Sequence, residues 1–234
     1  MNNIVVPASS KSGLWPWFLR ITGLEAWFQQ APTTAHAGRE ERIILLLTPA
    51  GATRSAHATL LADACRECQP AIAASGGAVV AFQPGTLLLT WPIAAESSAP
   101  VVALYFQLRA CARRLAGSPA LPLNGAAGLG WAAPGAAAAP HQFEQASLRE
   151  VAGLLHESQQ LGSELVLAAA LQQRLAPAVM GECALHVAFE VPGHRYPATV
   201  YRVLAPGPAL VLPKVAEPLK ACEEEMTSPS KKYS

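Results

Sequence analysis

The sequence is poor in charge and almost devoid of aspartate. Charged residues make up 14% of the 234 positions, and Asp63 is the single aspartate. Because hard metals and most acid–base sites depend on carboxylates, this scarcity argues against both kinds of chemistry. The net charge of +1 implies no strong field that would attract nucleic acid or an anionic membrane surface.

Long apolar runs and a framework of paired cysteines are also missing. No stretch is apolar for long enough to span a bilayer, and the N-terminal residues MNNIVVPASSKSG lack the features of a signal peptide. Five cysteines, an odd number in a chain of this size, argue against a disulfide scaffold. We therefore expect a protein of the reducing cytoplasm, with no membrane span.

Two cysteines form a CxxC pair, Cys65 and Cys68. A zinc site would need a second close pair of ligands, and the remaining cysteines and histidines are scattered. A redox CxxC would stand at the start of a helix after a strand, whereas this pair lies inside a predicted helix. We interpret the two thiols as small helix residues, one of them buried.

What the chain does contain is an apolar pattern of alternating strands and helices. Apolar periodicity identifies most of these segments, and turn residues mark their ends. The predicted elements are a strand at Arg42–Thr48, a helix at Ser55–Ser75 interrupted at Pro70, a hairpin of Ala78–Phe82 and Thr86–Trp91, a helix at Val101–Leu115, a strand at Ala126–Ala132, a helix at Val151–Ser158, a strand at Glu164–Leu167, a helix at Ala169–Leu175, and a hairpin of His186–Val191 and Ala198–Leu204.

This order of elements resembles the catalytic domain of class III adenylyl/guanylyl cyclases. In that family the first strand ends in phenylalanine-x-aspartate, and a later Gly-Gly precedes a hairpin reading lysine-phenylalanine-x-glycine-aspartate. The corresponding runs here are Leu46 to Thr53 and, after Gly76-Gly77, Ala81 to Gly85. Val200 to Val203 (VYRV) resembles a run in the family's closing hairpin. The region before the first strand is more similar to the soluble, bicarbonate-responsive branch than to the receptor branch.

The resemblance implies an α/β (α+β) fold, a cyclase-like mixed sheet with a ferredoxin-like core and helices packed on one face. It covers Arg42 to Leu204 in the family's order. We predict a leader with an amphipathic helix over 1–40, the cyclase-homology domain over 41–205, and a Pro-rich, charged, disordered tail over 206–234.

The resemblance also identifies the positions where cyclase chemistry would reside. It places the two metal aspartates at Thr48 and Gly85, and the base-reading lysine at Ala81. The ribose-orienting asparagine falls near Glu150 and the transition-state arginine near Leu154, while Arg149 lies close enough for a shifted alignment to restore one cation. Neither metal position supplies a carboxylate, so we expect no metal, no cofactor and no cyclase activity.

The function predicted is that of an inactive cyclase-homology domain that acts as a regulatory or protein-interaction module. Cyclase sites lie between two domains, so a homodimer or a heterodimer with another cyclase-like domain is expected. The docking candidates are aromatic residues of a predicted helix over Leu14–Gln30, namely Trp15, Trp17, Phe18, Trp27 and Phe28.

Two alternatives stay open at this point. The first is a divergent but active cyclase that makes a cyclic nucleotide. The second is a small-molecule sensor whose remodelled cleft is apolar around Leu47, Phe82 and Leu88. Elsewhere, His156 is expected to be a surface or interface histidine, and Glu157 beside it is expected to be solvated.

Overall fold

The computed structural model describes residues 39–49, 54–83, 85–93, 100–117, 123–134, 140–160, 162–175, 182–189 and 198–205. The predicted leader with its helix at Leu14–Gln30, the five aromatic docking candidates on that helix and the predicted tail from Pro206 all lie outside these residues. The proposed domain boundaries therefore stay predictions.

The described residues form seven strands, four α-helices and one 3₁₀ turn. The strands are β1 (Glu40–Pro49), β2 (Ala78–Gln83), β3 (Thr86–Pro92), β4 (Leu123–Ala132), β5 (Leu165–Ala168), β6 (Glu182–Phe189) and β7 (Ala198–Ala205). The α-helices are α1 (Arg54–Ala74), α2 (Val101–Leu115), α3 (Gln145–Gln160) and α4 (Ala169–Arg174), and the 3₁₀ turn is Pro140–Gln142.

The strands form one mixed sheet in the order β2-β3-β1-β4-β5-β7-β6. β1 runs antiparallel to both β3 and β4, and β4 runs parallel to β5. The order β4-β1-β3-β2, with α1 following β1 and α2 following β3, is the βαββαβ arrangement of a ferredoxin-like core. The predicted fold class is confirmed.

Helices cover both faces of this sheet, so the expectation of helices on one face is wrong. Ile43 and Leu45 of β1 join a cluster with α1 and α2, whereas Ile44 and Leu46 join a second cluster with α3. Successive side chains of a strand point to opposite faces, and every residue from Ile43 to Leu47 is buried. A strand that is apolar at every position needs cover on both sides, which is why α3 packs opposite α1 and α2.

Two glycines of β4 allow the helices to approach on both faces. A Cβ at Gly125 would lie 2.9 Å from a ring carbon of Tyr105 in α2. A Cβ at Gly128 would lie 2.9 Å from Cγ2 of Val151 in α3. Close helix–strand packing therefore accounts for the glycine-rich sequence of β4.

Pro70 does not interrupt α1, contrary to the prediction. The helix continues four residues beyond it to Ala74, and the proline ring lies on the exposed side. A proline removes one intrahelical hydrogen bond. The buried residues Cys68, Ala71 and Ile72 on the opposite side of the helix offset that loss.

The other boundaries differ from the predictions mainly by extension. α3 begins at Gln145, six residues before the predicted start, and β4 begins at Leu123 rather than Ala126. Within the residues that the structure describes, we find no helix with the length and apolarity needed to cross a membrane.

Candidate functional site

The two positions that the resemblance equates with the metal aspartates touch each other. Thr48 is the penultimate residue of β1, and Gly85 lies in the two-residue turn between β2 and β3. The hydroxyl of Thr48 donates a hydrogen bond to the carbonyl oxygen of Gly85 at 2.5 Å, and both residues are buried. A hydroxyl and a backbone carbonyl therefore lie where the resemblance would place two carboxylates.

Local sequence explains why this turn is placed here. β2 and β3 pair up to Gln83 and Thr86, which leaves Pro84 and Gly85 as the connection. Gly85 has φ of 92°, a conformation that glycine adopts without the steric cost of a side chain. An aspartate at this position would have to adopt the same strained conformation.

A polar pair that sequence reasoning missed lies beside Thr48. Asn124 is the partner of Thr48 in the β1–β4 ladder, and its Nδ2 donates to the backbone oxygen of Ser163 at 2.7 Å. Asn124 is 6% exposed and Ser163 is fully buried, yet Oδ1 of the first and Oγ of the second have no hydrogen-bond partner among the described residues. The one sequence feature pointing to this pair is a lone asparagine in an otherwise apolar strand.

The carboxylate next in sequence to this pair is already engaged by cations. Glu164 forms ion pairs with Arg109 and with Arg113 of α2, the second at 3.3 Å.

The hydroxyl of Tyr105 donates to the carbonyl oxygen of Leu123 at 2.7 Å. Burial, with the nearby charge of Glu164, raises the pKa of Tyr105, so this phenol stays protonated and structural.

The oxygen donors at this end of the sheet do not fit the metal pair that a cyclase uses. Thr48, Gly85, Asn124 and Ser163 offer hydroxyl, amide and carbonyl oxygens, whereas catalytic magnesium requires carboxylates. Across the part of the chain that the structure describes, no group of three or more His, Cys, Asp or Glu side chains is arranged to hold a metal ion.

The three remaining positions of the predicted site occupy different environments. Ala81 is half-buried on β2 and packs against the cluster on the α3 side of the sheet. Glu150 is half-buried on α3. Leu154 is fully buried in the core between α3 and the sheet. A side chain at Leu154 therefore points into the core rather than to solvent.

The apolar cleft predicted for a small-molecule sensor is not formed by the residues assigned to it. Leu47 belongs to the cluster on the α1 and α2 side, and Leu88 belongs to the cluster on the α3 side. In the β1–β3 ladder Leu47 pairs with Leu87 and not with Leu88. Phe82 is 39% exposed on β2. Because the two leucines lie on opposite faces of the sheet, they cannot line one pocket.

His156 and Glu157 lie on α3, and the expectation that Glu157 is solvated is wrong. Both side chains are half-buried. Burial lowers the pKa of His156 and raises the pKa of Glu157, since desolvation disfavours the charged form of each group.

Replacing Glu157 by glutamine is expected to raise the melting temperature at pH 7 by about 1–3 °C. The folded protein holds the carboxyl proton more tightly than the unfolded chain does, because the folded pKa is raised. The free energy of unfolding therefore falls as pH rises from the unfolded pKa through the folded one, and Glu157→Gln removes that loss.

The measurement is thermal unfolding of both proteins at several pH values. At a pH below the unfolded pKa the advantage of Glu157→Gln should disappear. Gln160, an exposed residue of the same helix, gives a control as Gln160→Ala, for which no dependence on pH is expected. A difference between wild type and Glu157→Gln that stays constant with pH contradicts the argument.

Comparison with known proteins finds likeness at the level of structure. No protein-family model matches the chain, and no curated protein matches its sequence. A bacterial light-regulated adenylyl cyclase superposes with a TM-score of 0.52 at 16% identity, covering 70% of this chain and 90% of its own. The adenylyl cyclase CyaB from P. aeruginosa superposes with a TM-score of 0.54 at 14% identity, covering 74% of this chain and 97% of its own.

A third solved structure is similar to the same extent. The adenylate/guanylate cyclase/hydrolase from Silicibacter pomeroyi gives a TM-score of 0.51 at 14% identity, covering 71% of this chain and 98% of its own. Identities this low carry the fold alone. The chain therefore has the fold of class III adenylyl and guanylyl cyclase catalytic domains.

Proposed function

We propose that this chain is a catalytically inactive cyclase-homology domain that acts through protein contacts, pairing with itself or with another cyclase-like domain. The observation that carries the proposal is the contact between Thr48 and Gly85. At the two positions that the resemblance equates with metal carboxylates, the residues form a neutral hydrogen bond with each other.

The other substitutions support the same proposal. The methyl group of Ala81 cannot donate the hydrogen bond with which a lysine would read the base. Since the lysine, asparagine and arginine belong to the half of a cyclase pair that does not bind metal, Ala81 and Glu150 also argue against a role as that half. What the domain retains is the fold, so a contact function is favoured over chemistry.

The odd number of cysteines in the sequence supports the proposed compartment. Five cysteines cannot all pair within one chain, which is unusual for a secreted domain held by disulfides. We infer a cytoplasmic domain that takes part in intracellular signalling.

The catalytic part of the proposal is tested by calorimetric titration of the protein with ATP and with GTP, first in magnesium and then in manganese. We expect no heat of binding and no thermal shift, because no carboxylate stands at either metal position. A parallel assay for cyclic nucleotide should give no product.

Metal-dependent binding in the micromolar range would overturn this part and favour a divergent active cyclase. The variant Thr48→Val then decides where the nucleotide binds, since it removes the hydroxyl and keeps the shape of the side chain. Loss of binding in Thr48→Val would locate the ligand at the Thr48–Gly85 contact.

The proposed pairing of this domain is tested by measuring its molar mass in solution by light scattering. Self-pairing predicts a particle of about twice the chain mass of 24.5 kDa. If the aromatic residues of the predicted N-terminal helix dock the partner, the double variant Trp17→Ala/Trp27→Ala should return the mass to that of one chain. A monomeric wild-type protein that also captures no cyclase-like domain would contradict the contact function.

A further inference from the structure

Three cysteines meet where α1 packs against α2. Cys65 and Cys68 lie one turn apart on α1, and Cys111 lies on α2. Their exposed fractions are 8%, 2% and 8%, and all three belong to the same core cluster. The sequence predicted one buried thiol in the CxxC pair, whereas both are buried.

Cys68 and Cys111 are close enough for the Cys111 thiol to raise the pKa of Cys68. An ion pair between the two helices lies beside them. Arg114 of α2, whose Nη2 lies 3.5 Å from the sulfur of Cys111, pairs with Glu67, the residue next to Cys68 on α1. This ion pair holds Cys68 of α1 near Cys111 of α2.

Helix geometry decides which two thiols can be joined. Residues three apart on a helix have Cβ atoms about 5–6 Å apart. A disulfide requires a Cβ separation of about 3.5–4.5 Å. Cys65 and Cys68 therefore cannot be bridged while α1 stays helical. Cys68 is the expected partner of Cys111, because it follows Glu67, whose ion pair with Arg114 joins this turn of α1 to the turn of α2 next to Cys111.

We propose that Cys68 and Cys111 are a redox-active pair that closes into a disulfide between α1 and α2 when a small disulfide such as oxidised glutathione is in excess. Cys111, which is more exposed than Cys68, loses its proton and attacks one sulfur of the small disulfide. That S–S bond breaks and one small thiolate leaves.

The second step completes the exchange. Cys68 loses its proton and attacks the sulfur of Cys111 in the mixed disulfide, and the second small thiol departs. Two protein thiols are oxidised and one small disulfide is reduced to two thiols, so electrons and atoms balance. Excess reduced glutathione or dithiothreitol reverses both steps.

The surroundings of the pair make this exchange slow near neutral pH. Burial raises the pKa of Cys68 to about 12, and that of Cys111 is also raised. The charged groups that face the pair are Glu67 from α1, which disfavours a thiolate, and Arg114 from α2, which favours one. The pair therefore responds to sustained oxidation rather than to a brief pulse, and it reacts faster as pH rises.

The disulfide would act on the part of the domain that holds the candidate site. The chain between Cys68 and Cys111 contains β2, β3 and the turn with Gly85. Closing this loop restricts the unfolded chain, so the oxidised protein should melt about 5–10 °C above the reduced protein.

The test uses the full chain, incubated at pH 8.5 in excess oxidised glutathione under native conditions. Mass spectrometry of a non-reducing digest should identify one linked pair, Cys68 with Cys111. Cys183 and Cys222 are not substituted in this experiment, and the same digest shows whether either of them is linked. The melting temperature should rise, and dithiothreitol should abolish both changes.

Variants separate the pair from its neighbour. Cys111→Ala and Cys68→Ala should each abolish the linked peptide and the rise in melting temperature, and either one suffices if the other fails to fold. Cys65→Ala, a buried thiol of the same helix, should keep both. A folded wild-type protein that stays reduced at Cys68 and Cys111, or that links Cys65 instead, overturns the proposal.

Discussion

Replacing Leu154 by arginine is expected to lower the free energy of unfolding by about 4 kcal/mol or more, a large fraction of the stability of an ordinary domain. Leu154 is fully buried in the cluster between α3 and the sheet, with Leu46 and Val166 in the same cluster. A guanidinium placed there would lose its hydration among the apolar side chains of this cluster.

This variant bears directly on the candidate site. The resemblance equates Leu154 with the transition-state arginine of cyclases, and that arginine has to reach a phosphate. Because the side chain of Leu154 points into the core, the position cannot serve that purpose without a change in the helix. Circular dichroism during urea denaturation measures the loss of stability.

Two control variants distinguish the buried charge from a general effect on α3. Leu154→Met keeps the volume and should cost less than about 1.5 kcal/mol. Glu150→Arg introduces the same guanidinium one turn earlier, at a half-buried position, and should cost about 1 kcal/mol at most. A folded Leu154→Arg protein with stability close to wild type would show that the side chain reaches solvent, and would revive the arginine equivalence.

The order of the elements could be predicted from the sequence because each element carries its own local pattern. The run RIILLLT marks β1, and Gly76-Gly77 and Pro84-Gly85 mark the ends of β2. These features act over a few residues, so they survive when most letters of a family motif have changed. The ferredoxin-like order then follows from the resemblance.

The faces of the sheet could not be read from the same run. When every residue of a strand is apolar, alternation leaves no mark in the sequence, and the side to which each residue points depends on its neighbours. This is why Leu47 and Leu88 were assigned to one cleft although they lie on opposite faces. The predicted single layer of helices failed for the same reason.

Contacts between segments that are distant in the chain also could not be predicted from the sequence. Thr48 and Gly85 were placed together by the resemblance, whereas Asn124 and Ser163 had no motif to join them. Their contact depends on β4 lying beside β5 and on a loop that follows α3. Pairings across 39 residues are set by the packed fold, and a lone polar residue does not reveal its partner.

Gly77→Ala is expected to cost about 3 kcal/mol of stability because the space for a side chain is filled by Trp91. A Cβ at Gly77 would lie 2.4 Å from Nε1 and 2.6 Å from Cε2 of that indole. Trp91 is 1% exposed, and its Nε1 donates to the hydroxyl of Ser75 at 3.0 Å. The added methyl would displace a rigid buried ring and break this hydrogen bond.

The neighbouring glycine provides a matched control with a different physical basis. Gly76 has φ of 74°, and a Cβ there would meet nothing within 4 Å, so Gly76→Ala should cost only about 1 kcal/mol of backbone strain. A double-mutant cycle isolates the clash at Gly77. Once Trp91→Leu has removed the indole, Gly77→Ala should cost well under 1 kcal/mol. If Gly77→Ala lowers the stability as much in the Trp91→Leu protein as in the wild-type protein, the steric explanation is wrong and the cause lies in the backbone.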